Sequence, residues 1–349
     1  MNKRNHQDMS NINQALTHRR NKQKKSSRIE AAPIPLIDIE SLISIAKLSI
    51  ANPHITYKNI NMAVLLDILP QLEELENIIG MKELKSTIFY QIIYYLQQLH
   101  LKSDDYLHTV ILGNPGCGKT TVARIIGKLY SNLGVLKNKT FTTVRRADMI
   151  GEYLGQTSVK VNKLLKASIG GVLFIDEVYS LGAGSKDKKD SYSKEAIDAL
   201  NMFLSEHKND FCCIVAGYEK EVNDCFFSIN QGLKRRFPWV HKISKYDAKQ
   251  LSAICFKKIK DIEWQTTVSE KEMEKMINKN EQHFKNAGGD VENMITMSKM
   301  SHAKRVFSLD DHHKFILTSS DLQNALELIQ ESNKPEVDET DKIHFEMYS

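Results

Sequence analysis

Gly113-Asn114-Pro115-Gly116-Cys117-Gly118-Lys119-Thr120 follows the spacing G-x-x-x-x-G-K-[ST]. These residue types in this order suit a nucleoside triphosphate with magnesium, and hence phosphoryl transfer to water. Glycines let the backbone wrap closely around phosphates and aim its N–H groups inward. Lys119 would reach the β- and γ-phosphates, Thr120 would give its hydroxyl to Mg2+, and Thr121 continues the cradle. Further on, the apolar run Gly170 to Ile175 delivers two adjacent carboxylates, Asp176 and Glu177. Asp176 would hold Mg2+, largely through water and Thr120, and Glu177 would polarise the attacking water. Side chains alternate along a strand, so both carboxylates can face one ligand only if the strand ends there. Phosphoryl transfer also calls for a cation on the far side of the γ-phosphoryl group. Gly232-Leu233-Lys234-Arg235-Arg236-Phe237-Pro238 offers one. On residue chemistry alone, an arginine here is as readily a surface charge or the partner of a local carboxylate.

The elements that must position these groups are legible around them. His108 to Leu112 is a short, β-branched apolar run and reads as a strand. After Thr120, Val122, Ile125, Ile126 and Leu129 recur at helical spacing. Strand, glycine loop, helix is the context the loop requires. Residues 141–145, 171–176, 211–216 and 239–243 read as further strands with helices between them, the alternation of an α/β domain with a mainly parallel sheet. Ligands bind such sheets at the carboxyl ends of the strands. From Asp247 onward the pattern is helical. Leu251, Ile254, Cys255, Ile259 and Ile262 mark one helix. Met294, Met297 and Met300 mark another, as expected core filling. Thr318-Ser319-Ser320-Asp321 opens the last helix with a capping pattern. The expected organisation is a basic disordered arm and linker over 1–35 and a small helical leader over 36–71, closed by Pro70. An α/β core over 72–245, a helical lid over 246–330 and an acidic tail over 331–349 follow.

The bulk numbers fit a soluble globular chain: 349 residues, 41% apolar and 26% charged. No apolar run approaches the ~20 residues of a membrane span, so no membrane partner is expected. The polar start carries no signal-peptide core. Five cysteines without a Cys-x-x-Cys pair point to a reducing compartment, cytoplasmic or nuclear. The net charge of +5 is uneven, because residues 1–30 hold eight Lys and Arg against Asp8 and Glu30. That arm reads either as a nucleic-acid contact or import signal, or as a solubilising tail.

With these motifs in order, the chain resembles an AAA+ ATPase, and within that group the CbxX/CfqX (CbbX-like) branch, whose known members include red-type rubisco activases. The resemblance runs from about Leu72 to Phe307. It covers Glu76-Asn77-Ile78-Ile79-Gly80-Met81, Arg146 to Thr157, Glu195-Ala196-Ile197-Asp198 and Val215-Ala216-Gly217-Tyr218. Composition and leader are also similar to relatives coded by large DNA viruses. The resemblance implies an AAA+ P-loop NTPase core with a mainly parallel sheet flanked by helices, plus a small all-α lid. It implies that Ile79 and Gly80 line the adenine pocket. Arg236, with Arg235 as second choice, matches the arginine finger that completes a neighbouring subunit's site in a ring. Tyr153 matches the aromatic of a central pore loop that grips a polypeptide, and its flanks Gly151 and Gly155 suit a mobile loop. Three positions depart from the pattern. Tyr218 stands where many relatives place a polar sensor, usually Asn, and its hydroxyl would orient water. Gly289 stands where the lid arginine should fall. Cys117 stands where such loops often carry Thr, which would make the site sensitive to thiol reagents.

The resulting expectation is an ATP- and Mg2+-dependent remodelling motor acting as a homo-hexamer on a protein client through Tyr153. The alternatives are a nucleic-acid-linked loader or replication factor, favoured by the basic arm, and a low-turnover ATP-dependent switch, favoured by Gly289 and Tyr218.

Overall fold

The computed structural model describes residues 29–30, 35–57, 60–153, 155–182 and 191–332. The dense part of the basic arm, Arg19 to Arg28, lies outside the described residues, as does the acidic tail from residue 333.

Five short strands form the central sheet: β1 (Thr109–Leu112), β2 (Phe141–Val144), β3 (Val172–Ile175), β4 (Cys212–Gly217) and β5 (Trp239–Lys242). Their order is β2-β3-β4-β1-β5 and every pairing is parallel. β1, β3 and β4 are buried along their whole length, as parallel strands covered on both faces must be. Register aligns their ends: Leu112 pairs with Gly217 and with Lys242, and Ile175 pairs with Val215. The segments after β1, β3 and β4 therefore emerge side by side at one edge of the sheet.

The helices that concern the site are α1 (Ile39–Ala51), α2 (Met62–Glu76), α3 (Lys82–Leu96), α4 (Lys119–Asn132), the single turn α5 (Arg146–Met149), α6 (Gln156–Ala167) and α7 (Ser191–Glu206). Period-2 alternation splits the strands between two cores. Ile111, Phe174 and Ile214 face a core that also holds Leu42, Leu65, Leu72, Ile88 and Ile125 of α1 to α4. Val110, Leu173 and Val215 face the other, with Val161 and Leu165 of α6 and Ile197 and Leu200 of α7.

The leader differs from its sequence reading. α2 runs through Pro70 and past the expected boundary at residue 71. Pro70 is exposed, so the carbonyl it orphans one turn back can reach water, and the helix tolerates the lost bond. Ile29–Glu30, within the expected arm, pairs in parallel with Ile55–Thr56.

The C-terminal part holds α8 (Ala248–Asp261), α9 (Glu270–Lys279), α10 (Gly288–Val306) and α11 (Ser319–Ser332) around a third core that includes Leu251, Cys255, Met273, Val291, Met294 and Leu322. One short parallel pairing, Gln265–Thr266 with Ile316–Leu317, is added to the helices. Met294 is buried but Met300 is exposed, because steps of three residues lag the 3.6-residue turn and rotate the stripe off the core. The capping pattern at Thr318 does more than start α11. Asp321, 1% exposed, accepts from the Thr318 backbone N and Oγ1, each at 2.9 Å, and from Arg305 Nε and Nη2 at 2.9 Å. Burial alone would raise the Asp321 carboxyl, but the bonds from Arg305 and Thr318 hold it below its usual value.

Candidate active site

β1 hands the chain to the glycine loop at the sheet edge. Gly113 N donates to Gly217 O at 3.2 Å, and Leu112 O accepts from Ile243 N at 2.8 Å, so the loop starts from a fixed base. Gly116 and Gly118 have φ of 65° and 94°, a region that favours glycine. Gly118 precedes α4 without any side-chain cap. By contrast α1, α8 and α9 each begin with a capping side chain: Asp38, Asp247 and Ser269. The first N–H groups of α4 are thus left for an anion, aided by the helix dipole.

Lys119 Nζ donates to the carbonyls of Gly113 at 2.9 Å and Asn114 at 2.8 Å, and lies 4.9 Å from the Tyr218 ring centroid. Thr120 Oγ1 donates to Asp176 Oδ2 at 3.1 Å, which joins the two halves of the expected site. Asp176 Oδ1 accepts from Glu177 N at 3.0 Å. β3 does end at Ile175, and Glu177 takes φ 51°. That left-handed residue turns the chain, so Asp176 and Glu177 both face one cleft. A hydroxyl beside a carboxylate is a hard-oxygen donor set that suits Mg2+. Among the described residues no cluster of three or more His, Cys, Asp or Glu could hold a metal, so water and phosphate oxygens would complete the coordination.

The cleft encloses about 600 Å³ and is walled by both the core and the helices after Asp247. Ile78, Ile79, Met81 and Ile254 give it an apolar end; Lys119, Thr120, Asp176 and Glu177 give it a polar one. Ile79, the residue expected to meet the base, lines this apolar end. Gly80 (φ 75°) stands behind that wall, its Cα facing Tyr246 and Gln250. Pro115 through Thr121 line the cleft, whereas Asn114 lines a second cavity of about 460 Å³ behind the loop, with Ile243, Phe284 and Ala287. Gly113 packs its Cα against Cys117 Sγ and Ile243.

The lid rests on the phosphate loop. A Cβ on Gly116 would sit 2.1 Å from Asn286 O and 2.8 Å from Gly289 N, and one on Gly288 would sit 3.0 Å from Gly116 O. The glycines at 288 and 289, where an arginine was expected nearby, thus let the start of α10 approach the loop backbone. Lys257 and Lys258 of α8 are lid cations that line the cleft; Lys257 Nζ donates to Asn77 O at 2.9 Å and Lys258 Nζ to Glu292 Oε2 at 3.0 Å. Tyr246 OH donates to Cys117 O at 3.1 Å, and burial pushes that hydroxyl up to about 12. Cys117 itself is buried, and burial raises its thiol against the opposing charge of Lys119. A protonated, covered thiol is a poor nucleophile, so the expected sensitivity to thiol reagents is not supported at Cys117.

Tyr218 begins a short turn after β4 and stacks on Tyr179, with centroids 5.2 Å apart and planes at 25°. The Tyr179 ring crosses Gly217, where a Cβ would lie 2.9 Å from Tyr179 Cδ1. The Tyr179 hydroxyl is raised first by burial, then by hydrogen bonding to Tyr218 and by the charge of Glu177. Sequence reasoning missed Tyr179, although its place two residues after Glu177 was a usable signal. It also missed Tyr246 and Met81, for which no local signal exists.

Besides Gly80, Gly113 and Asn114, three expected residues do not line this cleft. Arg236 Nε donates to Ser205 Oγ at 2.6 Å and its Nη1 to Gly232 O, so it is held within its own chain. Arg235 is exposed beside it. Tyr153 is 67% exposed on the loop between α5 and α6.

The profile of the family described as "ATPase family associated with various cellular activities (AAA)" matches residues 109–238, which spans β1, the glycine loop, the carboxylate pair and Arg236. A cfxQ-like protein of Acanthamoeba polyphaga mimivirus is 33% identical over 276 residues, covering 79% of this chain and 68% of that protein. The CfxQ homolog of Trieres chinensis is 35% identical over 221 residues, covering 62% of this chain and 74% of that one. The stage V sporulation protein K of Bacillus subtilis is 42% identical over 205 residues, and this chain spans 62% of its length. Among solved structures, the AAA domain of FIGL-1 in complex with ADP superposes with a TM-score of 0.55 at 15% identity, over 78% of this chain and 88% of that one, a likeness of fold. With the loop, the carboxylate pair and the sheet order in place, these relatives fix the family: the chain belongs to the CfxQ-like (CbxX/CfqX) AAA ATPases.

Proposed function

We propose that this protein hydrolyses ATP and uses the cycle, as a ring of identical subunits, to pull on a protein client. The observation that carries the hydrolysis is the convergence of Lys119, Thr120, Asp176 and Glu177 on one cleft, with Thr120 and Asp176 already 3.1 Å apart. The loop N–H groups and the bare start of α4 would hold the phosphates, and Lys119 would exchange its two carbonyl partners for phosphate oxygens. Thr120 and Asp176 would hold Mg2+, which supplies charge neutralisation at the phosphates. Glu177 would take the proton of the attacking water. Ile78, Ile79 and Ile254 would receive the base.

The pulling part rests on Tyr153, a large exposed aromatic on a loop flanked by Gly151 and Gly155. Arg236 would complete a neighbour's site, as Arg fingers do in phosphoryl transfer. Its side chain lies outside its own cleft, and its bonds to Ser205 and Gly232 would have to be released for it to reach a neighbour. A six-membered ring is the form that AAA+ proteins commonly take. The division proposed for the chain is a core ending near residue 245 and a helical lid from 246 to 330, with the leader packed against the core.

ATPase turnover measured across a protein concentration series tests the reading. Specific activity should rise as rings assemble, and Arg236→Ala subunits mixed into wild type should depress it more than dilution does. Turnover independent of both would remove the shared site. The switch reading keeps one observation in its favour, the lid backbone lying against Gly116; a rate limited to less than one turnover per subunit would select it. The nucleic-acid reading rests on the arm's basic cluster, Arg19 to Arg28, outside the described residues.

A further inference from the structure

Arg146 opens α5, the single turn that leads into the Tyr153 loop. Its Nη1 donates to Ser180 O at 2.8 Å, Leu181 O at 3.3 Å and Ser193 Oγ at 2.8 Å. Ser180 and Leu181 belong to the turn Val178–Leu181 that directly follows Glu177. That turn is tied back to the site, because Ser180 N donates to Glu177 O at 2.8 Å. The side chain therefore spans from the catalytic end of β3 to the base of the exposed loop.

The loop is braced on both sides of its tip. Lys160 Nζ donates to the carbonyls of Ala147 at 2.7 Å and Ile150 at 2.9 Å. Gly151 N donates to Thr157 Oγ1 at 3.1 Å, and Gln156 N to Tyr153 O at 3.2 Å. Ser158 N donates to Glu195 Oε1 at 3.0 Å, which fixes the start of α6 to α7. α5, α6 and the loop thus hang together as one braced unit, and Arg146 is its grip on the turn after Glu177. Glu177 holds a left-handed backbone without being glycine (φ 51°), strain of a kind that clusters at functional sites and switch segments. A shift there would carry Ser180 and Leu181 with it, and a planar guanidinium holding both carbonyls cannot stay behind.

We propose that Arg146 is a positioning residue that couples the state of the nucleotide cleft to the Tyr153 loop. The coupling rests on the reading of the cleft as an ATP site, and the two are tested separately.

The full chain carrying Glu177→Gln is measured by hydrogen exchange over residues 150–157, with and without ATP and Mg2+. ATP should change exchange in this segment by about fivefold or more, the low end of ordinary coupling between sites. In the Glu177→Gln, Arg146→Ala double variant the ATP-induced change should largely vanish, while ATP affinity, titrated in the same samples, stays within about twofold, because Arg146 lies outside the cleft. A purely structural role would alter baseline exchange but leave the ATP-induced difference. An undiminished difference in the Arg146→Ala chain overturns the proposal, and so does a parent loop that ignores bound ATP. Should Arg146→Ala lower the melting temperature too far, Arg146→Met carries the test: its thioether fills similar space but donates no hydrogen bond to any of the three acceptors, and a full parental response there overturns the coupling. If ATP fails to bind the parent at all, the reading of the cleft falls, and the coupling with it.

Discussion

Gly116→Ala separates lid contact from backbone strain. Both Gly116 (φ 65°) and Gly134 (φ 76°) are left-handed, so an alanine at either pays roughly 1–2 kcal/mol for its conformation. They differ in what the methyl meets. At Gly134 nothing lies within 4 Å, whereas at Gly116 the methyl would sit 2.1 Å from Asn286 O and 2.8 Å from Gly289 N. Both obstacles are backbone atoms and cannot swing aside, so the contact adds about 1–3 kcal/mol of overpacking or forces the lid off the loop. Equilibrium urea unfolding of the two variants beside wild type reads the difference. Gly116→Ala should be the more costly by at least about 1 kcal/mol, with faster hydrogen exchange over residues 284–290 in that variant alone. Equal costs, within the ~0.5 kcal/mol at which distant substitutions count as independent, would refute the argument that the lid backbone lies on the phosphate loop.

Lys119→Ala should remove nucleotide binding in a fluorescent-analogue titration, since Lys119 is the cation nearest the loop carbonyls; near-native affinity would discredit the site. Glu177→Gln should keep affinity and lower turnover by about a hundredfold or more, the scale of general-base loss, as read by phosphate release. Asp321→Asn should destabilise the lid by about 3 kcal/mol, since it leaves Arg305 facing an uncharged, buried partner; a loss below 1 kcal/mol in urea unfolding would contradict the network. Because the Asp321 carboxyl is held below its usual value, the stability it supplies is complete above about pH 4 and disappears as pH falls through the depressed value. Acid unfolding of the lid should therefore shift to higher pH in that variant. With a maleimide at neutral pH, the half-buried Cys225 should be labelled before the covered Cys117, as peptide mass spectrometry would show.

The phosphate loop and the carboxylate pair could be read from the sequence because each is local: the strand, the turn and the helix that shape them are adjacent in the chain. All five strands were likewise legible, since short β-branched runs bounded by breakers have few other stable homes. What escaped were contacts between distant segments. Tyr246 reaches Cys117, and Asn286 meets Gly116, only because the lid folds back over the core. Pro70 read as a helix end, yet it sits on the exposed side of α2, where the carbonyl left without its N–H partner can reach water. Arg236 read equally well as a surface charge, and no pattern in its own segment could have shown Ser205 waiting for it. The reading of Met300 as core failed because a three-residue step only approximates helical geometry.

The cleft lies between two hydrophobic cores that otherwise meet at Tyr246, which packs against both. Ile78 and Met81 belong with the α1–α4 side and Ile254 with the lid, so a nucleotide between them would act as a staple across two folding units. Without it, the lid can melt as its own foldon and heating should give two overlapping transitions. At ligand concentrations a hundredfold above Kd, binding would add about 2.7 kcal/mol to whatever resists separation of the two, and the transitions should draw together into one. The width of the melting curve would then report occupancy of the cleft, independently of any turnover.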